Sequence, residues 1–578
     1  MPAGPGNTAR PTAMLQSVWR LLLAGLLVGV CALGMVAERV GAQEPEPIEA
    51  GLAPARLPYA PGIDVLHYDF ELALSEGDES ILARARVRLA LVEPLPEVIA
   101  LDLTGLAVDA VSLDGRDVEF ELAEGQLRIA RPADRNAGEL TLDIRYHGTP
   151  DDGLIVRNTL HGRPAVFADN WPNRTRFWLP TVDHPSDKAT VRFTVHAPEA
   201  WEVVANGRLV QKPFAARTNA LGEGPDRMTS IWETAVPISP YNMVIGATEF
   251  VVDIIGTAAC GRAPLATRPD GCIEVTYWVF APDVANASRK FARADEMVDF
   301  FSRTIGPFPF AKLANVQSAT RFGGMENASA IFYSERSVAS DPDEGVVAHE
   351  IAHQWFGDAL TEASWSHLWL AEGFATYFGN LFFERVEGVE DFRARMEDDR
   401  QIYMRSNVTG QPIVREEARL FDLLNRNNYE KGGWVLHMLR GLVGEDAFTA
   451  GIREYYRRYL HQVVLTEDFQ NVMEEASGLD LDGFFRQWLF EPGYPVLEIS
   501  SEWDEAGRQL VLTIDQVQDP AWPTFRFQTD VEIALSTGTT RTRVEVSERR
   551  SVIRIEAAER PSRLLLDPDG WLLKDVVP

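Results

Sequence analysis

Residues 341–358 read DPDEGVVAHEIAHQWFGD, and this stretch decides how the rest of the chain is read. Asp341 followed by Pro342 has the form of a helix start: a short acidic side chain caps free amides, and proline is tolerated at the first helical position. Gly357 supplies a stop. The pattern predicts a helix over about 343–356. On it His349 and His353 stand four apart, so both imidazoles share one face. Two such nitrogens can reach one Zn²⁺ at about 2.0–2.1 Å. Glu350 lies beside that face, within reach of a water at the metal, which makes it the candidate general base. Taken alone, the segment is also compatible with two surface or core histidines on a helix.

A catalytic zinc needs a third protein ligand and one open position. Glu372 follows after eighteen intervening residues, in WSHLWLAEGFATYF. A helix is expected over 366–386, capped by Ser364 or Ser366. A carboxylate beside Leu370, Phe374 and Tyr377 is costly unless it is paired or holds a metal. The candidate metal ligands are therefore His349, His353 and Glu372, for one zinc per chain.

Two further segments flank this pair. Upstream is RFGGMEN, 321–327, with Gly323, Gly324, Met325, Glu326 and Asn327 as candidate substrate-binding residues. Paired glycines let a substrate backbone approach closely, and an edge strand there can hydrogen-bond it. A fixed carboxylate, Glu326, can pair with a free ammonium and is left desolvated when none arrives. Downstream is Tyr429-Glu430-Lys431-Gly432, preceded by Asn427 and Asn428 as helix caps. Its phenol is a candidate catalytic donor to an oxyanion.

HEIAHQWFGD with WLAEGFA resembles the aminopeptidase N and leukotriene hydrolase family of zinc peptidases. GGMEN resembles that family's Gly-x-Met-Glu-Asn exopeptidase motif, and YEKG its Tyr-x-x-Gly helix start. The resemblance implies a zinc aminopeptidase acting on peptides with a free N-terminus, with Glu350 as base and Tyr429 as oxyanion donor. The family's upstream Gln or Glu, a second contact to the amine, maps onto Trp171 beside Asn170 and Asp169. Ala328-Ser329-Ala330 stands where Trp-Gly is common. Competing readings are a thermolysin-like endopeptidase, an epoxide hydrolase of the leukotriene kind, and a non-catalytic surface module with a vestigial site.

The flanking sequence fits a multidomain α+β layout. VLHYDFELAL, LARARVRLALV, LTLDIRYHG, ATVRFTVHAP and WEVVANGRLV alternate apolar and polar residues, which predicts an N-terminal β-sandwich-like domain over 43–255. Helical periodicity dominates 256–492, a thermolysin-like catalytic domain, with helices at 288–306, 430–443, 446–459 and 467–476. After Gly493-Tyr494-Pro495 the alternation returns through VLEISSEW and QLVLTIDQV, predicting a small C-terminal β-sandwich over 493–578.

Residues 1–42 read as a cleaved signal peptide. Arg10 and Arg20 precede the apolar run Leu21 to Val36, which is too short for a comfortable bilayer span, and Val40-Gly41-Ala42 offers small residues for cleavage. The alternative is an uncleaved anchor. Val30 before Cys31 argues against a lipidation site. Export to a periplasmic or extracellular, oxidising compartment lets the two remaining cysteines, Cys260 and Cys272, form a disulfide; two free thiols are the other option. No later segment is long and apolar enough to span a membrane. A net charge of -30 argues against nucleic acid and anionic lipid as partners.

Overall fold

The computed structural model describes residues 59–215, 221, 227–340 and 342–577. The signal-peptide segment and Asp341 lie outside the described residues.

Strict alternation builds the N-terminal β region. In the strand Asp78–Leu91, Ile81, Ala83, Ala85, Val87, Leu89 and Leu91 are buried, while the residues between them face outward. It pairs with Ile63–Ser75 and Gly138–Gly148 inside an eight-stranded sheet. A four-stranded and a three-stranded sheet complete the region. WEVVANGRLV is not one strand: Glu202–Ala205 belongs to the four-stranded sheet and Arg208–Ala215 to the eight-stranded one. The chain changes sheets at Asn206-Gly207, where Gly207 has φ +76 and a Cβ would lie 2.0 Å from the Glu233 carbonyl oxygen.

A five-stranded sheet opens the central region, in the order Phe250–Ala258, Ile273–Phe280, Leu313–Ser318, Ala330–Ser334, Gly324–Met325. The last of these is an edge strand. Cys260 and Cys272, both within the connection between the first two strands, are joined by a disulfide. The helix expected over 288–306 is two helices, Val284–Lys290 and Ala294–Thr304. The break lets Phe291 pack on Tyr333, ring centroids 5.0 Å apart. The chain then supplies the helices Glu344–His353, Trp369–Glu387, Val389–Met404, Gly432–Val443, Glu445–Tyr459 and Thr466–Ser477. A C-terminal β region of a four-stranded and a three-stranded sheet ends the chain. Among the described residues no helix is long and apolar enough to cross a membrane.

Candidate active site

The first histidine helix starts later than the sequence suggests. Asp343, not Asp341, is its cap: Asp343 Oδ1 accepts from Gly345 N at 2.8 Å, satisfying an amide with no partner inside the helix. The helix ends at His353, and Gly357, with φ +119, turns the chain beyond it. The next helix also starts late, at Trp369, because a short 3-10 turn, Trp365–His367, precedes it. Ser364 and Ser366 bond each other through their hydroxyls at 3.0 Å and do not cap the long helix.

These two helices bring the three predicted ligands together. His349 Nε2 and His353 Nε2 lie 3.0 Å apart, and each is 3.2 Å from Glu372 Oε2. A tetrahedral zinc with arms of about 2.0–2.1 Å has ligand–ligand edges of about 3.3 Å. The observed triangle is close to one face of that tetrahedron. His353 Nδ1 lies 2.9 Å from the Phe356 carbonyl oxygen, to which it can only donate, so in the neutral ring that a metal requires the Nε2 lone pair is aimed at the other two ligands. The donor chemistry, two imidazole nitrogens and a carboxylate, fits zinc. Glu326, Glu350 and His353 also cluster, within 4.8 Å, but that set has two carboxylates and a single nitrogen.

Tyr429 reaches the site through an unexpected element. It lies in a π-helical turn, Asn427–Lys431, that runs into the helix Gly432–Val443. Asn427 and Asn428 do not cap this turn. Asn427 Nδ2 donates to the Val408 and Gln411 carbonyls, and Asn425 Oδ1 accepts from Asn427 N. Gly432 and Gly373 pack backbone to backbone, and a Cβ on Gly373 would lie 2.9 Å from Gly432 Cα. That close approach sets the phenol against the residue preceding Gly373, and the Tyr429 hydroxyl donates to Glu372 Oε1 at 2.9 Å.

The edge strand Gly324–Met325 forms the facing wall. A Cβ on Gly324 would lie 2.1 Å from Glu350 Oε1, so the general-base candidate occupies the space a side chain would fill. Glu326 and Asn327 follow, both buried. A cleft of about 550 Å³ is bordered by Gly323 to Glu326, His349, Glu350, His353, Glu372 and Tyr429, together with Trp171. A larger groove of about 670 Å³, around Trp488, Phe527 and Trp571, shares none of these residues.

The electrostatics follow from burial. Burial pushes Glu350 well above the usual carboxylate range, with Glu326 and Glu372 adding to the effect. Burial and Glu372, against the pull of His353, bring Glu326 up to about 7. For Glu372 burial acts upward but is outweighed by His353 and His349, which hold its carboxyl far below the usual range. Burial disfavours charge on His353, yet Glu372 and the other carboxylates raise it well above the ordinary imidazole value. This is a pocket with surplus negative charge, suited to a cation.

Neither neighbour of Trp171 replaces the missing amine contact. Asp169 is held by Arg174 and Arg321 at 3.1 Å each and by Thr320. Asn170 is spent on the Met243 carbonyl and Trp178 Nε1. Trp171 itself packs edge-on against Phe322, Trp365 and Phe421 at 5.5–6.0 Å, an apolar wall beside the cleft.

Sequence reasoning missed Gln354. Its Nε2 donates to the Glu326 carbonyl and to Asp358 Oδ2, both at 2.7 Å, and its Oε1 accepts from Ser329 N at 2.7 Å. An amide lodged between His353 and the apolar pair Trp355-Phe356 was the signal the sequence offered, and the structure buries it fully.

Comparison with known proteins places the chain among relatives. The Peptidase family M1 domain profile matches residues 290–488, and the Peptidase M1 N-terminal domain profile matches residues 65–241. The chain is 25% identical to Probable aminopeptidase 1 of Sulfurisphaera tokodaii, over 71% of this chain and 51% of the relative. It is 28% identical to Aminopeptidase N of Streptomyces lividans, over 79% of this chain and 53% of that protein. The chain thus spans about half the length of these curated relatives. Among solved structures it is similar to Legionella pneumophila aminopeptidase A in complex with aspartic acid, with TM-score 0.76, 18% identity, and coverage of 90% of this chain and 60% of that one.

Proposed function

Because this chain belongs to peptidase family M1, we propose that it is a zinc-dependent aminopeptidase that hydrolyses the first peptide bond of peptides. The observation that carries the reading is the convergence of His349, His353 and Glu372 opposite a buried, unpaired Glu326.

Zinc held by the three ligands supplies Lewis-acid polarisation of the scissile carbonyl and a lowered pKa for the attacking water. Glu350 takes the water proton on a carboxylate oxygen and passes it to the leaving amine nitrogen. Its raised proton affinity suits that double duty. The Tyr429 O–H, given to Glu372 Oε1 in this structure, turns toward the substrate carbonyl oxygen as that atom gains charge. Gly324–Met325, at the sheet edge, aligns the substrate backbone. Glu326 pairs with the terminal ammonium, so only the first peptide bond reaches the chemistry. The leader-like residues 1–42 and the Cys260–Cys272 bond support export to the periplasm or extracellular space.

The test pairs metal analysis with two substrates. Purified protein is expected to carry one zinc per chain, lost in His353→Ala. It is expected to cleave aminoacyl fluorogenic amides and to spare their N-acetylated twins. Equal rates on the two would establish the endopeptidase reading instead.

A further inference from the structure

The cleft extends beyond what the catalytic groups require. Thr376 and Asn380 follow Glu372 at intervals of four on the helix Trp369–Glu387, and both line the cleft. Each helical turn advances about 5.4 Å, so this arm runs on the order of 10 Å past the ligating carboxylate.

The far end of the arm is acidic. Asp399, from the helix Val389–Met404, accepts from Asn380 Nδ2 at 2.8 Å through Oδ2. Glu430 lines the same arm. Its Oε1 accepts from Arg426 Nη1 at 2.6 Å, but Oε2 is buried without a partner. The Glu430 side chain is only 7% exposed, whereas the Arg426 side chain is 55% exposed. A buried unpaired carboxylate oxygen is costly unless something pairs with it. Burial, with Glu430 adding to it, pushes Asp399 up to about 7, a sign of crowded negative charge.

The other arm, at Glu326, Trp171 and Phe322, takes the N-terminal residue. A single residue precedes the cleaved bond there, so the remainder of the peptide runs along the helix arm. The second residue's side chain is the first to reach its acidic end. We propose that Asp399 and Glu430 form a specificity subsite for a basic side chain, lysine or arginine, at the second position of the peptide. The proposal rests on the aminopeptidase reading for the direction of the chain. An ammonium or guanidinium at the end of the arm adds a countercharge to the Asp399 and Glu430 pair, whereas an acidic second residue meets two like charges.

Binding tests this without turnover. Zinc-loaded Glu350→Gln protein is titrated by calorimetry with the tripeptides Ala-Lys-Ala, Ala-Leu-Ala and Ala-Glu-Ala. The lysine peptide is expected to bind at least about tenfold more tightly than the glutamate peptide. Adding Asp399→Asn or, separately, Glu430→Gln is expected to shrink that ratio severalfold. Equal affinities for the three peptides, or a ratio unchanged by both substitutions, overturns the proposal. Aminoacyl fluorogenic amides have no second residue, so their hydrolysis by the unsubstituted enzyme tests the aminopeptidase reading separately.

Discussion

Two regions of this protein bury clusters of charge, and they treat it in opposite ways. In the N-terminal β region, Arg176 Nε pairs with Asp183 Oδ2 at 3.0 Å and Asp102 Oδ2 accepts from Asp183 N at 2.9 Å. Nearby, Arg174 pairs with Asp169 and Asp152. Each cation there has its carboxylate, and in that sense each arrangement is closed, although Asp183 Oδ1 is buried without a hydrogen bond. In the cleft, Glu326 and Glu350 are as deeply buried, yet neither has an ion pair among the described residues, and Glu372 is matched only by two imidazoles. Leaving buried charge unmatched is expensive. The closed cluster holds a fold together, and under the proposed function the open one is completed by a metal and a substrate amine.

The sharpest way to break this contrast is at Glu350. Glu350→Gln keeps the shape but cannot accept a proton at neutral pH. Turnover is expected to fall about 10²–10⁴-fold, the usual worth of a general base, while zinc analysis stays at one per chain. A near-normal kcat would remove Glu350 from the chemistry.

Next in size is the closed cluster. Asp183→Ala leaves Arg176 buried beside a weaker partner, Asp102 at 3.9 Å. Breaking a buried pair costs about 3–5 kcal/mol, and hydrogen exchange at the amides of Ile63–Ser75 and Asp78–Leu91 is expected to read that loss. Zinc content of the folded protein should not change. Joint loss of both would mean that the two clusters are one unit.

Glu326→Ala is expected to lower kcat/KM for free-amine peptides by roughly two orders of magnitude and to alter the slow cleavage of acetylated peptides little. A folding defect would depress both alike, so the ratio carries the test.

The last test concerns pH. Burial, against a hydrogen bond from Val65 N, pushes Asp187 in the β region from 3.8 up to about 8. Between those values the folded protein holds a proton that the unfolded chain has released. Asp187 therefore makes stability fall as pH rises through roughly 4 to 8, and costs nothing below that window. Asp187→Asn is expected to flatten this slope in thermal unfolding measured across the window. An unchanged slope would show that Asp187 ionises normally when folded.

The pairing of His349 and His353, the core of the proposed zinc site, was legible in the sequence because a helix converts a spacing of four into a shared face, whatever the exact cap. The cap was not legible: Asp341 and Asp343 are chemically equal, and only the reach of Asp343 to Gly345 N separates them. Tyr429 could be placed near a helix start, but a π-helical turn has no sequence period to betray it. The helix Val389–Met404 escaped notice because it buries only Phe392, Met396 and Tyr403 in sixteen residues, too sparse a stripe to stand out. Asp399, on that helix, was therefore invisible as a cleft residue. WEVVANGRLV kept its alternation across a change of sheets, since period alone does not say which neighbour a strand pairs with.

Gln354 has one more consequence. It ties the Glu326 carbonyl and Ser329 amide to the turn that follows the helix end at His353. Glu326, the proposed amine anchor, and the proposed metal ligands are thereby parts of a single stiff gauge. Under the proposed function, the gap between anchor and metal is one amino-acid residue, and the protein acts as a ruler that reads length before it reads side chains.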